Sequence, residues 1–193
     1  MNVAHVHVLL LIVLCIPSSV VGQVKKDDVD AAARLKSGAA IATVNSEGNI
    51  AELAIAMNYG DDPLPMTKLL KSLCSLEKLT IGGCSDESLS LVAEIDTIRD
   101  LTIYSHELTD NGLDSLGKMS ALRTLSITST ANLSPEGLEN LGKLTELRDL
   151  TLFTLTANDD TLMELCNCTH IETLQFVEPN ITNEGLKLSL IHI

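Results

Sequence analysis

Apolar residues recur along this chain in a two-part rhythm. Leucine, isoleucine or phenylalanine fills the first, fourth and sixth positions of six short stretches: Ile50/Leu53/Ile55, Leu76/Leu79/Ile81, Ile98/Leu101/Ile103, Leu122/Leu125/Ile127, Leu147/Leu150/Leu152 and Ile171/Leu174/Phe176. Their starts lie 26, 22, 24, 25 and 24 residues apart. The last two apolar residues of each stretch are two apart, which puts them on one face of a short strand. A second period follows in each unit, with apolar residues spaced by three: Leu89/Val92/Ile95, Leu113/Leu116/Met119, Leu138/Leu141/Leu144 and Leu162/Leu165/Cys168. That spacing makes one stripe of a helix.

The helix starts are marked independently. Four residues before each leading leucine stands Ser85, Thr109, Ser134, Asn158 or, before Leu186, Thr182. Each carries an oxygen able to accept from an orphan amide of the first turn. Acidic residues follow at Asp86 and Glu87, Asp110, Glu136, Asp159 and Asp160, and Glu184, where negative charge meets the positive end of the helix dipole. Pro135 sits where its fixed φ suits the first helical position. Capping and solvation thus account for these carboxylates more simply than calcium binding or catalysis.

One strand and one helix per 24 or so residues cannot bury their own apolar stripe, so neighbouring units must stack. The predicted fold class is α/β: a curved solenoid with a parallel inner sheet and outer helices. The units resemble leucine-rich repeats. Leu108-Thr-Asp-Asn-Gly-Leu113, Leu133-Ser-Pro-Glu-Gly-Leu138 and Ile181-Thr-Asn-Glu-Gly-Leu186 are similar to the cysteine-containing, ribonuclease-inhibitor-like subtype. The resemblance covers about residues 50 to 188, and residues 50–187 are read as the repeat domain, with five to six repeats. That subtype often places Cys or Asn eight residues after the first leucine. Here those positions are Cys84, His106, Thr130, Leu155 and Pro179, so only the first matches and the polar ladder expected from the resemblance is weak.

Residues 23–49 read as an N-terminal capping segment. Asp27 to Leu35 suggests a short Ala-rich helix, and Ala42-Thr-Val44 with Ile50 to Ile55 flanks Asn45-Ser-Glu-Gly-Asn49, a hairpin signal. This resembles the leading segment of many secreted bacterial repeat proteins, and its task would be to cover the apolar end of the stack. Asn58 to Pro65, with Gly60, Pro63 and Pro65, must be a loop. Residues 1–22 contain no Lys, Arg, Asp or Glu, and Val8 to Ile16 is an unbroken apolar run ending at Pro17. The run is too short to span a bilayer but fits the core of a signal peptide cut before Gln23, so a secreted, periplasmic or extracellular location is expected. An uncleaved anchor and lipidation of Cys15 are the alternatives. At the other end the helical stripe fails, with Ser189 and His192 where apolar residues belong. Leu188-Ser-Leu-Ile-His-Ile193 is also what CTG TCT CTT ATA CAC ATC encodes, the adapter end of a transposon sequencing library. Residues 188–193 are therefore expected to be an adapter-derived artefact, with the natural protein continuing.

Composition narrows the function. The 193 residues include two Tyr, two Phe and no Trp, so the core is aliphatic. A net charge of -13 repels phosphate backbones and anionic headgroups, which argues against nucleic acid as a partner and against membrane insertion after signal cleavage. Catalytic and cofactor signals are lacking: no Gly-rich phosphate loop, His-Glu-x-x-His helix or Gly-x-Ser-x-Gly elbow occurs. No catalytic residue, cofactor or metal is assigned. Cys166-x-Cys168-x-His170 superficially resembles ligand spacing, but Cys166 and Cys168 fall in small or apolar columns of the repeat, as does Cys84. A Cys74–Cys84 disulfide stays open. Asn132, Asn167 and Asn180 begin glycosylation sequons, whose alternative is chance in a Thr- and Asn-rich chain.

Strand positions that alternate with the buried ones should line the concave face. The candidate protein-binding residues there are Asp100, Thr102, Tyr104, Ser126, Thr128, Asp149, Thr151, Phe153 and Gln175. Tyr104 and Phe153 are plausible partner anchors, although β-propensity alone also accounts for aromatics on a solvated sheet. Arg99, Arg123 and Arg148 form a basic row at the strand starts, either balancing nearby carboxylates or docking an acidic peptide. The expected function is a non-catalytic module that binds a protein or peptide ligand. The alternative is a structural scaffold segment of a longer exported protein whose effector domain is missing. A ligase substrate receptor is disfavoured by the leader and the lack of an adaptor-binding segment.

Overall fold

The computed structural model describes residues 40–46, 49–56, 70–71, 73, 75–129, 133–154, 158–165, 168–177 and 181–185. Strands β1 (Ala40–Val44) and β2 (Ile50–Ala56) come first, followed by β3 (Lys78–Gly82), β4 (Asp100–Ser105), β5 (Thr124–Ser129), β6 (Asp149–Thr154) and β7 (Thr173–Val177). Helices α1 (Asp86–Val92), α2 (Asp110–Leu116), α3 (Pro135–Glu139) and α4 (Asp159–Leu165) join β3 to β7 in turn. All seven strands form one sheet in chain order. β1 and β2 pair antiparallel, and every later pair is parallel. The architecture is α/β with a mostly parallel sheet.

The expected hairpin is present. Its turn is closed by the Asn45 amide donating to the Asn49 carbonyl (2.9 Å) and by the Asn49 amide donating to Asn45 Oδ1 (3.0 Å). Across the parallel strands the apolar columns stay in register: Leu79, Leu101, Leu125, Leu150 and Leu174 in one, Ile81, Ile103, Ile127, Leu152 and Phe176 in the next. Every member from β3 to β6 is buried, as are the helix stripes Leu89/Val92/Ile95, Leu113/Leu116/Met119 and Leu138/Leu141/Leu144. At ~1.5–3 kcal/mol per fully buried aliphatic side chain, these columns dominate the driving force for folding. They open at β7, the sheet edge, where Leu174 is 37% exposed.

Backbone bonds reinforce the register just before each strand. The Glu77 carbonyl accepts from both Arg99 and Asp100 amides, that of Arg99 from Arg123 and Thr124, that of Arg123 from Arg148 and Asp149, and that of Arg148 from Glu172 and Thr173. Each strand start is thus pinned to its predecessor.

All five predicted caps form. Ser85, Thr109, Ser134 and Asn158 accept from the amides of Ser88, Asn111, Gly137 and Thr161, and Thr182 accepts from those of Glu184 and Gly185. The third helix departs from expectation. It stops at Glu139 and continues as a 3₁₀ turn, Asn140–Lys143, with the Asn140 side chain donating to the Gly137 carbonyl (3.1 Å). A side-chain bond to the backbone competes with the regular helical ladder. The polar ladder also shifts. Ser105 and Ser129, aligned and buried, lie one residue before the expected positions, and Ser105 Oγ donates to the Cys84 carbonyl (2.6 Å).

The proposed leader (1–22), the Ala-rich helix (27–35), the loop at 58–65, Cys74, Cys166, the three sequon asparagines and residues 188–193 lie outside the described residues.

Candidate functional site

Strand alternation sends one set of side chains into the helix-covered core and the other onto the open face. The structure brings all nine predicted site residues together on that open face, in three adjacent columns. The first runs Asp100, Thr124, Asp149, Thr173; the second Thr102, Ser126, Thr151, Gln175; the third Tyr104, Thr128, Phe153, Val177. Each of the nine is half-buried or exposed.

The third column has a distinct shape. Tyr104 is 51% and Phe153 40% exposed, two of the four large hydrophobic residues so exposed among those described. Thr128 lies between them in register. Two strand spacings separate the aromatic Cα atoms by about 10 Å. The column thus sets one exposed aromatic on either side of a threonine. The other two exposed hydrophobics, Leu174 at the sheet edge and Met163 on α4, were not singled out from the sequence. Leu174 follows the buried pattern and loses its cover only at β7.

The arginine row runs beside the first column. Arg148 Nε lies 3.6 Å from Glu172 and its NH2 group 3.9 Å from Glu146, while NH1 donates to the Thr145 and Leu147 carbonyls (3.1 and 3.3 Å). Charge balance therefore accounts for Arg148, through residues flanking the strand and not through Asp149. Arg99 and Arg123 are exposed and have no side-chain hydrogen bond or ion pair among the described residues.

The acidic residues at the helix starts reach further than capping predicts. Asp86 accepts from both the amide (2.9 Å) and the hydroxyl of Thr109, Asp110 from the Ser134 amide (3.0 Å), and Asp159 from the amide (2.7 Å) and hydroxyl (2.6 Å) of Thr182. Each carboxylate clasps the cap of the next unit. Thr182 holds the Asp159 carboxyl below its usual range by these bonds, the hydroxyl contributing most. The third helix position of the receiving unit is Gly112, Gly137 or Gly185, and a Cβ at any of them would collide with the incoming aspartate. Thr161, in the unit after Pro135, receives no aspartate and carries a side chain there. These aspartates are structural.

Cys84 is a free, buried thiol whose burial pushes its pKa up to about 11. It belongs to the core, and a nucleophile needs the thiolate. Among the described residues no group of three or more His, Cys, Asp or Glu could hold a metal ion, and no helix is long and apolar enough to cross a membrane. His106 and His170 stand exposed in different units. No family model matches the chain and no curated protein does. The open face offers hydroxyls, two carboxylates and two exposed aromatic rings.

Proposed function

We propose that the chain is a leucine-rich-repeat solenoid that binds a protein or peptide partner through the open face of its sheet, without catalysis. The observation that carries this reading is the exposed pair Tyr104 and Phe153 on either side of Thr128. Large aromatic rings held on rigid strands supply contact area at little conformational cost, and such residues dominate binding energy at protein interfaces. The stacked, in-register columns and the cross-unit aspartate clasps support a repeat architecture, since each unit's apolar side is covered by its neighbours. The apolar leader supports export, with the mature chain beginning at Gln23.

Partner capture by the wild-type chain and by Tyr104→Ala/Phe153→Ala tests the binding face. Both side chains lie outside the buried core, at 51% and 40% exposure, so the double variant keeps its fold. Loss of capture with an unchanged melting curve is expected, and undiminished capture refutes the assignment.

A further inference from the structure

The arginine row has a charge problem that the chain itself does not solve. Glu77, Arg99, Arg123, Arg148 and Glu172 follow one another across five adjacent units, each backbone amide bonded to the carbonyl before it (2.7–2.8 Å). Arg148 is shared between two glutamates. Arg99 and Arg123 stand side by side, one strand spacing or about 5 Å apart, exposed and unpaired among the described residues of a chain with net charge -13. Such a chain has anions to spare, yet none among the described residues reaches them. Asp100 and Asp149 lie in the neighbouring column, and the position following Arg123 is the uncharged Thr124. A guanidinium offers a planar fork that matches a carboxylate with two parallel bonds.

The row also stands at a defined distance from the aromatic pair. Five residues separate Arg99 from Tyr104, which along an extended strand is about 16 Å. Between them the floor is short: Thr102, Ser126 and Thr151. The exposed arginines stand at the strand starts and the exposed aromatics near the strand ends. Six residues of extended peptide span the same length.

We propose that the open face takes an extended acidic segment of a partner protein, its carboxylates on Arg99 and Arg123 and one large apolar side chain between Tyr104 and Phe153. This rests on the protein-binding reading above and adds the chemistry of the partner.

Selection of a random peptide display library on the immobilised full chain tests it, followed by titration of the selected peptides. The wild type enriches peptides with Asp or Glu at one end and a large apolar residue about five positions away. Arg99→Gln/Arg123→Gln binds those peptides roughly three- to tenfold more weakly, melts like the wild type, and shows a smaller loss of binding as salt rises. Enrichment of apolar anchors without acidic residues, abolished by Tyr104→Ala/Phe153→Ala, overturns the acidic partner and leaves the binding face standing. No enrichment that depends on either pair overturns both. Retention on a sulfated polysaccharide that the arginine variant abolishes, with no acidic peptide selected, assigns the row to polyanions and also overturns the proposal.

Discussion

Replacing Gly137 by alanine should destabilise this protein, although the same exchange inside most helices does the reverse. Alanine at the third position of α3 is ordinarily favoured over glycine by ~0.5–1 kcal/mol, because glycine loses more backbone freedom on folding. Here the added Cβ would sit 2.9 Å from the Cβ of Asp110 and closer still to its carboxyl group. Asp110 has to withdraw, and its 3.0 Å bond from the Ser134 amide breaks. A hydrogen bond to a charged group contributes ~1.5–3 kcal/mol, and the partial exposure of this one favours the lower half of that range. The balance is a net loss of ~1 kcal/mol, rising to ~2 if the displaced carboxylate finds no new partner. In an Asp110→Gly background the whole obstacle is gone, the Cβ at 2.9 Å included, and Gly137→Ala should now stabilise by ~0.5–1 kcal/mol. Urea unfolding of the four proteins at neutral pH, followed by circular dichroism, measures the cycle. The diagnostic result is a change of sign between backgrounds. An alanine that stabilises the wild-type chain, or that costs the same in both, would refute the clasp as the reason for the glycine.

Three further outcomes follow from the same geometry. Asp159 has a folded-state pKa below its ordinary 3.8, so its contribution is present above that value and is lost as pH falls through the folded pKa; thermal melts between about pH 5 and pH 2 should fall less steeply for Asp159→Asn, and an unchanged slope would count against the bond. Cys84, buried with its pKa near 11, should escape alkylation by iodoacetamide at about pH 8 in the native chain and react once urea exposes it, as peptide mass mapping will read. Leu125→Ala should cost ~3–4 kcal/mol because its site is fully closed, whereas Leu174→Ala, in the same column but 37% exposed, should cost ~1 kcal/mol or less; equal losses in chemical denaturation would mean that β7 is covered in solution.

What could be read from the residues alone depended on how far along the chain each interaction reaches. The strand columns and the five caps were legible because each rests on a local rule, alternation in a strand or an oxygen two or three residues before an amide, repeated until chance is excluded. The clasps cross 23 or 24 residues, so a rule confined to one helix end reads Asp86, Asp110 and Asp159 as dipole partners and stops there. The signal was nonetheless present in pairs of units: an aspartate opening one helix goes with a glycine at the third position of the next, and Pro135 goes with Thr161. The open face was legible down to its nine residues because the period of a strand is two and one buried column fixes the other. Its charge state was not. Arg99, Arg123 and Arg148 occupy the same column, and only the reach of Glu146 and Glu172 separates the neutralised arginine from the two uncompensated ones. In a stacked architecture, equivalent positions therefore share a backbone environment without sharing an electrostatic one. Arg148 is fixed by the carboxylates of its own and the following unit, and the electrostatic asymmetry of the row lies in the two arginines those carboxylates do not reach.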